Sequence, residues 1–484
     1  MLATINDLIW NPMAYFALLV GLWFTTLTRG IQFRRIPQML KEITAQPAED
    51  GGVRPLQALM LSLSSRIGVG NIAGVATAIY AGGPGAMFWM VVVALLGSAS
   101  AYAEVVLAQT FKKRINGEDR GGAPFYVELG LKLRWLAVII AVCYLVCYGF
   151  LTTGVQANTI TTSMDNAFSI PAWVTAIVLT SMMGITIFGG TNRIMKVAQV
   201  MVPVMAAAYV LALLVLLGMN SDQIFPSISL VLGSAFGTDQ IFGGLAGAAI
   251  AWGVRRATFS NVAGVGEGTF AAAAASNSHP SKQGLIQSFS IFIDTVVVCQ
   301  ATGIMILITN SYNVTDGSRL LVEHLPNVDA GVAYTQEAVN SGLPGFGPAF
   351  IALGIFFFAF TSMVAYYYIA ETNLIFIMGR SDGVARLLLR IGALGITVFG
   401  CVGSGDVMWA LGDISFGLLG WINMLVILSM SRLVRKITKD YDEQLKQGLD
   451  PVFDPRRVGI ENAQWWEDFN ARRNASPDAT AAKA

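Results

Sequence analysis

The sequence predicts an all-α polytopic membrane protein, and three observations predict it. The first is composition: of 484 residues 54% are hydrophobic and 13% charged, with a mean hydropathy of +0.60, too apolar for a water-soluble chain of that length. The second is the spacing of apolar runs. Eleven have the roughly 20 residues that a helix needs to cross about 30 Å of hydrocarbon, near residues 9-29, 55-81, 84-111, 134-164, 171-190, 194-219, 239-258, 284-310, 346-379, 386-403 and 407-431. The third is the placement of basic residues. Nineteen Lys and Arg fall in alternate connections, from Arg29 to Arg54, Lys112 to Arg134, Arg193 and Lys196, Arg255, Arg256 and Lys282, and Arg380, Arg386 and Arg390, against Arg319 alone in the others. That bias sets the N-terminus outside and the basic tail after Ser431 in the cytoplasm, as a multi-pass protein of the plasma (inner) membrane.

The same composition excludes other classes. A net charge of +1 offers nothing to nucleic acid. Cys143, Cys147, Cys299 and Cys401 lie in apolar segments without metal-like spacing and are read as packing residues. His279 and His324 sit in connections, so neither a histidine-based catalytic site nor a cofactor is expected, and no nucleophile and base pair stands out. The first run lacks a basic n-region and a cleavage site and is expected to stay as a span. A membrane domain over 1-430 and a cytoplasmic tail over 432-484 follow. The tail, with Trp465 and Trp466 among acids, is read either as an interfacial or regulatory segment or as a solvated extension.

Topology adds a constraint. With the first span (9-29) set aside, spans two to six (55-219) start inside and spans seven to eleven (239-431) start outside. Two consecutive five-helix blocks of opposite topology are the arrangement of an inverted-repeat transporter, in which the first helix of each block is interrupted near the midplane. The second span carries Gly68-Val69-Gly70-Asn71, and Gly243, Gly244 and Gly247 stand at the corresponding place of the seventh. Topology and glycine placement carry this inference, since the blocks share no residue-level similarity.

A helix broken inside a bilayer survives only where it lines a protein cavity or binds something polar. The segment Gly68 to Asn71 offers free backbone groups, and the Asn71 side chain adds one acceptor and two donors. A glycine packing seam between helices is the competing reading; it explains the glycines but does not ask for asparagine. In the ninth span the adjacent hydroxyls of Thr361 and Ser362 either help ligate a hard cation or bond back to carbonyls of their own helix. Gln156 in the fourth span is either a ligand or an interhelical hydrogen-bonding group. Ionisable groups within spans cost roughly 2.5 to 3.5 kcal/mol each and call for a partner or a role. Arg66, Glu104, Asp294 and Asp413 qualify as a gating or charge network, with Arg66 expected to pair with an acid at the inner gate and Asp294 open to a proton-carrying role.

The run Ser62-Leu63-Ser64-Ser65-Arg66-Ile67-Gly68-Val69-Gly70-Asn71-Ile72-Ala73-Gly74, followed by Gly82-Gly83-Pro84-Gly85-Ala86-Met87-Phe88-Trp89, resembles the alanine or glycine:cation symporter family of the amino acid-polyamine-organocation superfamily. Pro124-Phe125-Tyr126, Phe188-Gly189-Gly190, Phe259-Ser260-Asn261, Phe292-Ile293-Asp294-Thr295 and Phe358-Ala359-Phe360-Thr361 extend the resemblance over about residues 10 to 430. It implies a leucine-transporter-type 5+5 inverted repeat with one extra N-terminal helix, and sodium-driven uptake of a small neutral amino acid such as alanine or glycine. It also implies sodium ligands at Ser64, Ile67, Thr361 and Ser362. Substrate would meet Gly68, Val69, Gly70, Asn71, Gln156, Ser362 and Tyr366, with Gly243 and Gly244 added from the topology. Family members often have Thr at Val69, Trp at Val91, Glu at Val262, Ser at Glu267 and Trp at Tyr366. A smaller hydroxylated ring at Tyr366 enlarges the pocket and leaves a broader substrate range open, glutamine or serine included. Val262 and Glu267 look like a carboxylate moved five residues along. Proton coupling, a channel or uniporter, and a membrane enzyme are the other readings the sequence leaves standing.

Overall fold

The computed structural model describes residues 2-47, 52-380 and 382-475. Among the described residues eight helices are long and apolar enough to cross a bilayer: Thr4–Leu27, Ala86–Thr110, Arg134–Phe168, Thr191–Met219, Pro280–Ile308, Gly347–Met378, Gly383–Val402 and Gly405–Ser429. A ninth span is made by Pro55–Arg66 and Gly70–Gly82 together, bent by 54° at the break between them. Helices stand at the two remaining expected positions but are shorter, 16 residues each: Ala172–Ile187 and Ala246–Asn261. The first helix begins at Leu2, ahead of the expected residue 9, because Asn6 and Asp7 continue the helical run without a breaker.

Burial sorts these helices into layers. Most of Ala86–Thr110, Pro280–Ile308 and Gly347–Met378 is buried, whereas only a minor part of Thr191–Met219 and Gly383–Val402 is. Val200, Val204, Leu211, Leu388 and Phe399 on the outer helices stay uncovered, as expected of a lipid-facing ring around a protein-lined centre. Close approach is needed where Ala246–Asn261 crosses Ala86–Thr110. A Cβ on Gly253 would lie 2.7 Å from the Ala86 carbonyl oxygen, so glycine alone fits there.

Two expectations are corrected. Arg255 and Arg256, read as connection residues, lie inside the helix Ala246–Asn261 and are buried; Arg255 bonds Asp413 at 2.6 Å and Arg256 bonds it at 3.1 Å. Each guanidinium also lies over Trp252. A buried pair of this kind satisfies charges that composition alone would have placed in water. The interruption of the seventh span also differs from expectation. Gly243 and Gly244 form a 3₁₀ turn with Leu245 at the helix start, Gly244 exposed and Gly243 against Gly237. The chain breaks instead at the other end, where Val262, Gly264 and Gly266 all take left-handed φ (48°, 81° and 92°) before the helix Gly268–Ala273. A β-branched valine in that region is strained.

The C-terminal segment is folded rather than a solvated extension; its last residues, 476-484, lie outside the described residues. Helices Ser431–Lys446, Pro455–Val458 and Gln464–Ala475 run back over the ends of the spans. The Trp466 indole donates to the Gln109 carbonyl (2.9 Å), and the Lys112 ammonium lies 3.6 Å from the Trp465 ring centre. His279 ties this segment to the start of Pro280–Ile308: its Nδ1 accepts from the Ser281 amide at 3.0 Å, and its Nε2 faces Asp440 Oδ2 at 3.2 Å.

Those contacts fit a neutral imidazole whose Nε2 carries the proton. Burial holds the His279 pKa below its ordinary value despite Asp440. Asp440 is opposed by burial, yet its hydrogen bonds from His279 and Arg457 keep it below the usual carboxylate range, so it stays ionised. A released His279 titrates near about 6.5. The released state therefore takes up a proton that the docked state refuses, and docking weakens as pH falls through that value by up to about 1.4 kcal/mol per pH unit. Hydrogen exchange in residues 431-475, corrected for its intrinsic pH dependence, is expected to speed up between about pH 7.5 and 5.5. Exchange independent of pH would refute the coupling.

Candidate functional site

The site is built from the break in the second span. The helix Pro55–Arg66 stops at Ile67, whose extended ψ of 96° turns its carbonyl out of the helical ladder. Glycines at 68 and 70 and the Asn71 side chain, which competes for backbone groups, prevent an ordinary helix from re-forming at once. Chain direction is recovered through the π-helical turn Gly70–Gly74. Two more π-helical segments, Cys147–Leu151 and Phe292–Cys299, lie in the fourth and eighth spans. Such turns are rare and concentrate at functional positions.

Four backbone groups at the break find a side chain. The Gly68 amide donates to Asn71 Oδ1 (2.9 Å) and the Val69 amide to Gln156 Oε1 (3.2 Å). The Ile67 carbonyl accepts from Ser362 Oγ (3.3 Å), and the Asn71 carbonyl accepts from Thr302 Oγ1 (2.7 Å). The Gln156 amide reaches the Tyr366 hydroxyl at 3.4 Å. Gly68 is wedged between these groups: a Cβ there would lie 2.7 Å from Ser362 Oγ and 3.0 Å from Gln156 Oε1. Gly70 lies somewhat less tightly against the seventh span, where a Cβ would stand 3.1 Å from the Phe259 ring and 3.3 Å from Ser260 Cα. A packing seam of glycines therefore exists here, but it is lined by polar partners.

Asp294 closes the cluster. Its carboxylate accepts from Asn71 Nδ2 (2.7 Å), Ser260 Oγ (2.9 Å) and Thr295 Oγ1 (2.8 Å), three neutral donors. Asn71 Nδ2 also lies 3.3 Å from Cys299 Sγ. Aromatic rings border the cluster, with Tyr366 against Tyr148 at 5.2 Å and Tyr148 against Phe416 at 5.7 Å between centres.

The structure thus brings together Ile67, Gly68, Val69, Gly70, Asn71, Gln156, Ser362, Tyr366 and Asp294 from the positions singled out in the sequence. Gly243 and Gly244 are not among them, because the seventh span meets the site with its far end. Ser64 and Thr361 bond back to the carbonyls of Leu61 (2.8 Å) and Phe358 (2.9 Å), which still leaves their oxygen lone pairs to accept. Arg66 does not pair with an acid. Its guanidinium donates to Gln287 Oε1 (3.1 Å) and to Ser290 Oγ, although Glu267, Glu104 and Asp294 all lie near enough to stabilise its charge. Asp413 belongs to the separate Arg255 and Arg256 pair. Glu104 accepts from Asn423 Nδ2 (3.0 Å), which also donates to the Gly264 carbonyl (2.8 Å) and accepts from Tyr126, so this buried acid braces the break of the seventh span.

Ser260, Thr295, Thr302 and Cys299 were missed as site residues. Ser260 and Thr295 fall in motifs that carried the resemblance, which was the available signal. Nothing in the spacing of Cys299 or Thr302 distinguishes them from core.

Fold and site define a multi-pass membrane carrier, with polar groups gathered at a broken helix deep inside an apolar protein. The chain belongs to the sodium:alanine symporter family, whose model matches residues 1–455. It is 44% identical to a sodium/proton-dependent alanine carrier protein of Bacillus sp. (strain PS3), over 89% of this chain and 97% of the relative. It is 40% identical to the amino-acid carrier protein AlsT of Bacillus subtilis (strain 168), over 96% of both, and 34% identical to the sodium/alanine symporter AgcS of Methanococcus maripaludis, over 91% of this chain and 96% of that one. Among solved structures, a manganese transporter of Eremococcus coleocola shares the fold at 12% identity, with a TM-score of 0.50 over 86% of this chain and 85% of that chain.

Proposed function

We propose that this protein is a secondary active symporter that couples inward sodium flow to uptake of a small neutral amino acid such as alanine or glycine. The observation that carries the reading is the capped break. The Gly68 amide, the Val69 amide and the Ile67 carbonyl are held by Asn71, Gln156 and Ser362 respectively, and these are backbone groups that a zwitterion and its coupling cation can take over on binding. Amides at a half-helix end suit a carboxylate, and carbonyls such as that of Ile67, with the oxygens of Ser64, Thr361 and Ser362, suit sodium. Eleven spans in two inverted five-helix blocks after the first helix, with the N-terminus outside and the tail in the cytoplasm, is the architecture we propose for it. The names of the relatives support alanine as substrate.

The energetics suffice with one ion. About 100 mV gives roughly 2.3 kcal/mol per charge, and a tenfold ion gradient adds about 1.4 kcal/mol, enough to hold substrate at several hundred to one. Purified protein in liposomes is expected to accumulate labelled alanine only under an inward sodium gradient, and competition by a panel of amino acids ranks the substrates. Equal uptake with and without the gradient would sink sodium coupling.

A second reading has its own observation. Asp294 is buried among three neutral donors, with no cation hydrogen-bonded to it among the described residues. Such a carboxylate suits a proton, and proton-driven uptake, with a broader substrate range through Tyr366, is the alternative. An imposed pH gradient in sodium-free liposomes separates the two.

A further inference from the structure

The break is held from one side by a chain of two hydroxyls. The Asn71 carbonyl accepts from Thr302 Oγ1 at 2.7 Å, and Thr302 Oγ1 in turn stands 2.7 Å from the hydroxyl of Tyr209. Thr302 lies in the eighth span, just beyond the π-helical segment Phe292–Cys299. Tyr209 belongs to the sixth span, Thr191–Met219, whose Val204 and Leu211 face outward uncovered. Both Tyr209 and Thr302 are buried, so each hydroxyl proton needs an acceptor within the protein.

Only one placement of the two protons satisfies every group. Thr302 has a single proton and two carbonyls in reach: Asn71 at 2.7 Å and, four residues back on its own helix, Val298 at 3.3 Å. A threonine in a membrane helix ordinarily bonds back along that helix; here the shorter bond goes across to the break. With its proton spent there, the Thr302 oxygen accepts from Tyr209. The opposite order, with Thr302 donating to Tyr209, would withdraw the proton from the Asn71 carbonyl. It would also leave the Tyr209 proton with no hydrogen-bond acceptor among the described residues. Tyr209 therefore donates to Thr302, and Thr302 to Asn71; a hydroxyl that accepts a proton is polarised and gives its own bond more strongly.

We infer that Tyr209 is a positioning residue for Asn71: through Thr302 it fixes the Asn71 carbonyl, and with it the direction in which the Asn71 side chain reaches the Gly68 amide and Asp294. The inference rests on the reading of Asn71 as part of the amino-acid site. The sixth span also packs against Pro55–Arg66 and Gly347–Met378, so the relay ties the second half of the broken span to a helix that braces its first half. Without the relay the segment samples arrangements that do not bind. A fall in the binding-competent fraction raises the apparent KM by the same factor and leaves the rate at saturation unchanged.

The test is alanine uptake by proteoliposomes, resolved into KM and kcat, with thermal unfolding of the same proteins. Tyr209→Phe keeps the ring on Phe358, 6.1 Å between centres, and is expected to raise KM roughly three- to tenfold with kcat unchanged, the loss of one buried hydrogen bond. Thr302→Val is expected to raise KM at least as much, and Thr302→Ser, which keeps the hydroxyl, to stay near wild type. The double variant Tyr209→Phe/Thr302→Val is expected to match Thr302→Val alone, because the outer link acts only through the inner one. A wild-type KM in Tyr209→Phe, whether or not its melting temperature falls, would overturn the inference. So would KM effects that multiply in the double variant, or a Thr302→Ser as impaired as Thr302→Val. Wild-type uptake indifferent to sodium would instead refute the symport reading, and the same variants, measured with the ion that drives wild type, would still decide the relay.

Discussion

Replacing Asn71 by alanine is expected to reduce uptake to below about one hundredth of wild type while the protein still inserts and folds. The side chain serves both sides of the break. Its oxygen accepts the Gly68 amide at 2.9 Å and its nitrogen donates to Asp294 at 2.7 Å. Without it a buried amide and a buried carboxylate each lose a partner, and an orphaned buried group costs about 1 to 3 kcal/mol. Two such losses at the binding segment reach the roughly 2.7 kcal/mol that corresponds to a hundredfold. Most of the remaining contacts of the fold lie elsewhere and should be kept. Uptake per molecule of protein in the membrane separates a binding defect from poor expression, and transport near the wild-type level in Asn71→Ala would refute the placement of the site.

The second large effect concerns stability. Asp413→Ala leaves Arg255 and Arg256 buried without their shared carboxylate, and breaking a buried pair from one side typically costs about 3 to 5 kcal/mol. The Trp252 ring beside both guanidiniums softens this only in part, at about 0.5 to 2 kcal/mol per contact. Thermal unfolding in detergent is expected to shift down by several degrees. Adding Arg255→Met and Arg256→Met to the same variant is expected to recover much of the loss, since an apolar replacement of all partners removes the stranded charges. A single variant that melts with wild type would show that the pair contributes nothing to stability.

The class of this protein and its central segment were legible in the sequence because the bilayer imposes strict local demands. Twenty apolar residues are needed to span it, and a Gly-x-Gly-Asn interruption within such a run has few physical justifications. Val69 shows the same legibility at residue level: with no side-chain hydrogen bond to give, it contributes its amide, which Gln156 accepts at 3.2 Å. The partners of these residues were not legible. Arg255 and Arg256 looked like connection charges because sequence position carries no depth, and only the approach of the helix Gly405–Ser429 with Asp413 makes their burial tolerable. The break of the seventh span was sought at Gly243 and Gly244 because glycine spacing is symmetric with respect to either helix end. Its actual position, at Val262 to Gly266, depends on Asn423 and Tyr144, whose side chains hydrogen-bond the Gly264 and Val265 carbonyls. Cys299 comes to lie beside Asn71 and Ser260 in the same way. Local chemistry thus determined which segment cannot be an ordinary membrane helix, and tertiary packing alone decided which distant side chains satisfy it, because a hydrogen bond in a dry interior is fixed by distance in space and leaves no period in the chain.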